Sequence, residues 1–128
     1  MKFISRKTHA VLDYVMGIVL IASPWLFGFA GYETARWCAI VIGGIMLLTS
    51  LITDYEGGII KTLPMPVHLN MDAIAGILLA VSPWLLHFND QVYLPHVILG
   101  LLEIGAAICT QSTSQHAPLS RSIRQEGV

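Results

Sequence analysis

Three stretches of this chain, residues 14–32, 37–53 and 73–89, contain no aspartate, glutamate, lysine or arginine, and residues 91–120 contain only Glu103. Each block is near the ~20 apolar residues that an α-helix needs to cross the hydrocarbon core of a bilayer. The whole chain is 12% charged and 55% hydrophobic, whereas an ordinary soluble domain is about 25% charged. The expectation is an integral membrane protein, an all-α four-helix bundle with spans near residues 8–29, 34–53, 67–88 and 92–111. The longest connection, residues 54–67, is too short to bury a core of its own.

A formal net charge of −1, with no basic cluster beyond the N-terminal segment, excludes a nucleic-acid footprint. The lipid bilayer is the expected partner, and a second copy of the chain or another membrane protein is left open. The first apolar run follows Lys2, Arg6 and Lys7 like the core of a signal peptide, but its length and Pro24 deep inside it argue for a retained span. With the N-terminus cytoplasmic, that side holds Lys2, Arg6, Lys7, Lys61, Arg121 and Arg124, against Arg36 outside. This bias predicts both termini inside, with short outer loops near residues 30–35 and 89–94. Trp25, Trp37, Trp84, Tyr32 and Tyr93 then fall at the outer boundary as an aromatic belt. Cys38 and Cys109 fall at helix ends on opposite sides, which excludes a disulfide between them.

Shifted by 59 residues, the chain matches itself: residues 9–29 align with 68–88 with ten identities in 21 positions. These include His9 with His68, Asp13 with Asp72, Gly17 with Gly76, Ser23-Pro24-Trp25-Leu26 with Ser82-Pro83-Trp84-Leu85, and Phe29 with Phe88. Apolar composition alone does not produce a shared His, Asp, Gly and Ser-Pro-Trp at fixed spacing. The second helices match at an offset of 57, with Gly43 over Gly100 and Thr53 over Thr110, so the second outer connection is two residues shorter. An even number of spans per unit makes the repeats parallel, related by a pseudo-two-fold axis along the membrane normal. The units are residues 1–54 and 68–112, joined by a cytoplasmic linker at 55–67; residues 113–128, rich in Ser, Gln and His, read as a disordered cytoplasmic tail. In the linker, Gly57-Gly58, Pro64 and Pro66 break regular structure, and Pro66 is placed to open the third helix.

On these residues the chain resembles the SPW repeat family, short membrane repeats of two helices with Ser-Pro-Trp in the first. The resemblance covers nearly all of residues 8–112 as a tandem pair. It implies a small, multi-span, mainly bacterial membrane protein of uncharacterised function, and it brings no active site with it.

At 100° per residue, His9, Asp13, Gly17, Leu20, Ser23 and Pro24 share an arc of about 120°, as do their counterparts in the second repeat. A face that carries the polar atoms should look into the bundle, because lipid offers them no partner. Pro24 and Pro83 leave the Leu20 and Leu79 carbonyls without a donor, which Ser23, Ser82 or a tryptophan indole could supply. The plain reading of the motif is a kink with its repair; the functional one is an unwound ligand site. His9 with Asp13 and His68 with Asp72 stand four residues apart on one face. They read first as a helix-to-helix clasp, and more sharply as a His–Asp proton relay or a two-His, two-Asp metal site.

Glu103 has Met46 as its counterpart and sits mid-span, where a charged carboxylate costs at least ~2.5 kcal/mol, so it is expected to be protonated or hydrogen-bonded inward. His87 and His96 read as solvated histidines by the outer loop. Paired histidines, His9 with His68 or His87 with His96, also admit a haem. Gly43 and Gly44 with Ala35 and Ala39 form a small-residue strip for close helix contact. No nucleophile–base pair, phosphate-cradling glycine loop or cysteine–histidine metal pattern stands out. The expectation is therefore a non-enzymatic structural or accessory membrane protein with no cofactor and no catalytic residue, and a small-solute or proton-coupled carrier using Glu103 and the His–Asp pairs is the alternative.

Overall fold

The structure is a computed structural model that describes residues 2–112. The tail at 113–128, expected to be disordered, lies outside the described residues. Four helices follow one another: α1 (Arg6–Leu26), α2 (Glu33–Ile52), α3 (Met65–Leu85) and α4 (Leu94–Cys109). Among the described residues there is no strand beyond two isolated bridges. Helices α1, α2 and α3 are each long and apolar enough to cross a membrane, and α4 is a shorter apolar helix of 16 residues.

The shortness of α4 is a departure from the sequence expectation and has a local cause. Its C-terminal end matches that of α2, Cys109 over Ile52, but it starts at the position equivalent to Trp37, one turn late. Pro95 sits in its first turn, where its fixed φ suits a helix start and its missing N–H leaves no bond unmade. The second outer connection thus spans residues 86–93, longer than residues 27–32 of the first repeat, although the chain there is two residues shorter.

The other helix ends follow from short-range chemistry. Ser5 caps α1, its Oγ accepting from the Thr8 N–H at 3.1 Å. Pro64 and Pro66 set the start of α3. Both Ser-Pro-Trp helices close in the same way: the Phe29 N–H donates to the Pro24 carbonyl and the Phe88 N–H to the Pro83 carbonyl, each at 2.8 Å. This closure puts one residue in left-handed geometry, Gly28 at φ 76° in the first repeat and His87 at φ 59° in the second.

Packing is tightest within each hairpin, α1 on α2 and α3 on α4, while α2 with α3 and α1 with α4 complete the ring. Glycines permit the close approach. A Cβ on Gly43 would lie 2.8 Å from the Gly17 carbonyl oxygen, and one on Gly100 only 2.6 Å from that of Gly76. Gly44, the other glycine of the expected strip, faces open space. The main core takes Leu20, Phe29, Ala39 and Met46 from the first repeat and Leu79, Phe88 and Leu99 from the second. The outer surface is covered by exposed Val, Ile and Leu, a face that only lipid can solvate cheaply. Trp25, Trp37, Trp84, Tyr32 and Tyr93 are exposed around the end opposite the linker.

The two repeats are stitched by a symmetric exchange. Ile4, ahead of α1, donates its N–H to the Cys109 carbonyl and accepts from the Gln111 N–H, both at 2.9 Å. Its counterpart Leu63, ahead of α3, donates to Ile52 and accepts from Asp54, both at 2.8 Å. Each repeat therefore begins on the end of the other.

Candidate functional site: a buried two-histidine, two-aspartate ring

Helices α1 and α3 face each other across the bundle, so the one-face spacing of the histidines and aspartates brings all four together between the helices, near the linker end. His9, Asp13, His68 and Asp72 are all buried. Each imidazole contacts both carboxylates: His9 Nε2 lies 3.0 Å from Asp13 Oδ1 and 2.9 Å from Asp72 Oδ2. His68 Nε2 lies 2.8 Å from Asp13 Oδ2 and 3.0 Å from Asp72 Oδ2. The intrahelical pairs read from the sequence are thus half of a closed ring whose other half crosses between repeats.

The outer ring nitrogens are held as firmly. His9 Nδ1 lies 2.8 Å from Thr110 Oγ1, and His68 Nδ1 lies 2.8 Å from Thr53 Oγ1. Each threonine hydroxyl already donates to a carbonyl one turn back, Ala106 and Thr49 respectively. It can then only accept, which places a proton on both Nδ1 atoms and turns each Nε2 toward the carboxylates. Thr53 and Thr110 were visible in the sequence as a matched pair, and their place at the last turn of each second helix was the signal for this role.

Symmetry breaks at Asp13. Tyr55 Oη donates to Asp13 Oδ2 at 3.0 Å and Ser50 Oγ at 3.4 Å, and the counterparts of these residues are Ser112 and Ala107. Tyr55, in the linker, is fully buried over His68, with ring centroids 5.3 Å apart, and burial pushes its phenol well above the usual tyrosine range.

Glu103 is buried, and its Oε1 has no hydrogen-bond partner. It lines, with Asp13, Leu12, Met16, Leu102 and Ala106, an otherwise apolar groove of about 430 Å³ between α1 and α4. The corresponding groove between α2 and α3 is about 220 Å³ and carries no acidic residue.

The Ser-Pro-Trp residues do not reach the ring. Ser23 and Ser82 donate to the freed Leu20 and Leu79 carbonyls, each at 2.7 Å, and Trp25 and Trp84 are exposed. The repair is therefore by hydroxyl and not by indole. His96 differs from its expected solvated place: it is buried between Phe29 and Phe88, ring centroids 5.0 and 4.8 Å away, and donates from Nε2 to the Ala35 carbonyl at 3.0 Å. The repeat accounts for this: at the offset of 57 His96 takes the place of Ala39, which is buried in the same way in α2, and the two matched phenylalanines enclose it. His87 is exposed. Neither histidine pair suits a haem, since Asp13 and Asp72 fill the space between His9 and His68, and His96 is enclosed by phenylalanines away from the surface. Cys38 and Cys109 are free.

No match was found among curated proteins or among solved structures. The SPW repeat domain, in contrast, matches residues 7–110, a span that runs from the start of α1 past the end of α4 and takes in both Ser-Pro-Trp segments, the histidine–aspartate ring and its two threonines. With that match across most of its length and with its apolar helices, this chain belongs to the SPW repeat family and is a small integral membrane protein.

Proposed function

We propose that the protein is a non-enzymatic structural or accessory component of a bacterial inner membrane, with both termini cytoplasmic, in which the histidine–aspartate ring clasps the two repeats. The observation that supports this reading is closure: all four side chains of the ring find their partners inside the chain, across the repeat boundary. Removing one member of such a buried charged set costs about 3–5 kcal/mol, because the others are left uncompensated. Asp72→Asn is expected to lower the thermal unfolding temperature in detergent sharply. Cysteines introduced at Ser5, Asn89 and Ser122, in a chain lacking Cys38 and Cys109, test the orientation: Ser5 and Ser122 should label from one side and Asn89 from the other. Labelling of Ser5 and Asn89 from the same side refutes it.

A second reading, a proton-coupled or small-solute carrier, is favoured by one observation, the unpartnered Glu103 oxygen beside Asp13 in the groove. Proteoliposomes of the parent should show no flux under the first reading. Flux that disappears in Glu103→Gln would establish the second.

A further inference from the structure

We propose that His9, Asp13, His68 and Asp72 bind one divalent first-row transition-metal ion, of the zinc, iron or manganese class, between the helices near the linker end of the bundle. The donors are two imidazole nitrogens and two carboxylates, a borderline set that suits these ions. Their ligand atoms all lie within 4.8 Å of one another, and the four neighbouring contacts around the ring are 2.8–3.0 Å. Donors held about 2.0–2.1 Å from one ion stand about 2.9 Å apart at the right angles of a six-coordinate ion and about 3.3 Å apart at the tetrahedral angles of zinc, so the ring accepts the first with little movement and the second by opening about half an ångström.

The outer contacts point the same way. A clasp between a histidine and an aspartate needs only one N–H, and the threonines here supply more order than that. Because Thr53 and Thr110 each spend their own proton on a backbone carbonyl, both imidazoles are fixed with Nδ1–H outward and Nε2 inward. That arrangement, a ligand nitrogen aimed at the centre and its other N–H bonded to an oxygen, is how metal-binding histidines are oriented. Tyr55 and Ser50 hold Asp13 in turn. Two carboxylates, two neutral imidazoles and a divalent cation sum to zero, so the loaded site carries no net charge into the protein interior. The groove between α1 and α4 reaches the ring at Asp13 and carries a second carboxylate, Glu103, beside it.

The test uses the full-length protein in detergent, stripped with chelator and titrated with Co2+. One equivalent per chain, with ligand-field absorption bands that Zn2+ removes and Mg2+ does not, is the expected result. X-ray absorption of the Zn2+ form should then show two imidazoles and oxygens at about 2.0–2.2 Å. No bands, or bands that persist in the His9→Gln/His68→Gln double variant and so belong to an ion elsewhere, would overturn the proposal. Should that variant fail to fold, Thr53→Val with Thr110→Val keeps every ligand and removes only the orienting hydroxyls. Co2+ affinity should fall about 10–100-fold there, and an unchanged affinity overturns the site. A ring whose variants lose stability while the parent binds no Co2+ refutes the metal and leaves the clasp standing.

Discussion

Replacing Gly100 by alanine should loosen the second hairpin, and the structure says by how much relative to a matched control. A Cβ on Gly100 would meet the Gly76 carbonyl oxygen at 2.6 Å, the Ala80 nitrogen at 2.7 Å and the Ala80 Cβ at 2.9 Å, where ordinary contact begins at 3.4 Å. Two of these neighbours are backbone atoms of α3 and cannot swing aside, so the helices must part by about 0.5–1 Å. Such a gap forfeits a quarter to a half of each dispersion contact along the seam. Overpacking of this kind costs about 1–3 kcal/mol. Gly105 lies on the same helix with nothing within 4 Å of its would-be Cβ, so Gly105→Ala keeps only the gain of up to about 1 kcal/mol in helix propensity. The contrast between the two variants cancels propensity and isolates the seam, at about 1–3 kcal/mol. Thermal unfolding in detergent, followed by far-UV circular dichroism, measures it. If Gly100→Ala unfolds with or above Gly105→Ala, the close α3–α4 approach is not what holds the hairpin.

Ser82→Ala should destabilise by about 1–3 kcal/mol by stranding the Leu79 carbonyl, and adding Pro83→Ala should recover part of that by restoring an N–H donor; equal stability of the single and double variants in detergent unfolding would exclude the repair. His87→Gly should raise stability by about 0.5–1 kcal/mol, because glycine adopts the left-handed geometry that histidine is forced into, and the same melts check it. Tyr55 stabilises through its neutral phenol, so its contribution is complete below the unfolded tyrosine value of about 10 and is lost as pH rises above it. Tyr55→Phe should therefore lower the melting temperature at neutral pH and flatten its decline on the alkaline side.

The spans, the repeat and the repaired proline were legible because each is written locally. A charge-free block declares a membrane helix whatever surrounds it, and a hydroxyl one residue before a proline can reach the freed carbonyl within the same turn. The spacing of His9 and Asp13 likewise put both on one face. What the chain could not show by spacing is which helix that face meets. The cross-repeat contacts of His9 with Asp72 and His68 with Asp13 depend on α1 and α3 lying across the bundle from each other. Ser50 and Tyr55 have no counterparts of their kind in the second repeat, so self-comparison passes over them, yet both bond Asp13. His96 reads as solvated because it stands near a loop, and its burial follows from its register, since it takes the place of buried Ala39 in the second repeat.

The pseudo-symmetry also picks out the side of the ring on which the two repeats differ. A perfect two-fold would give each aspartate the same neighbours and each side of the ring the same access. Here Asp13 accepts from Tyr55 and Ser50 in addition to the histidines, while Asp72 is bonded by the two imidazoles. The same side of the molecule carries the larger groove, because α1 and α4 pack less closely than α2 and α3, and Glu103 stands in it where the other repeat has buried Met46. One repeat thus closes its flank with a thioether and the other opens it with a carboxylate. The departures from the repeat converge on the Asp13 side, where the α1–α4 groove reaches the ring and carries Glu103, so Glu103→Met, the change that restores the symmetry, most directly removes what sets the two sides of the ring apart.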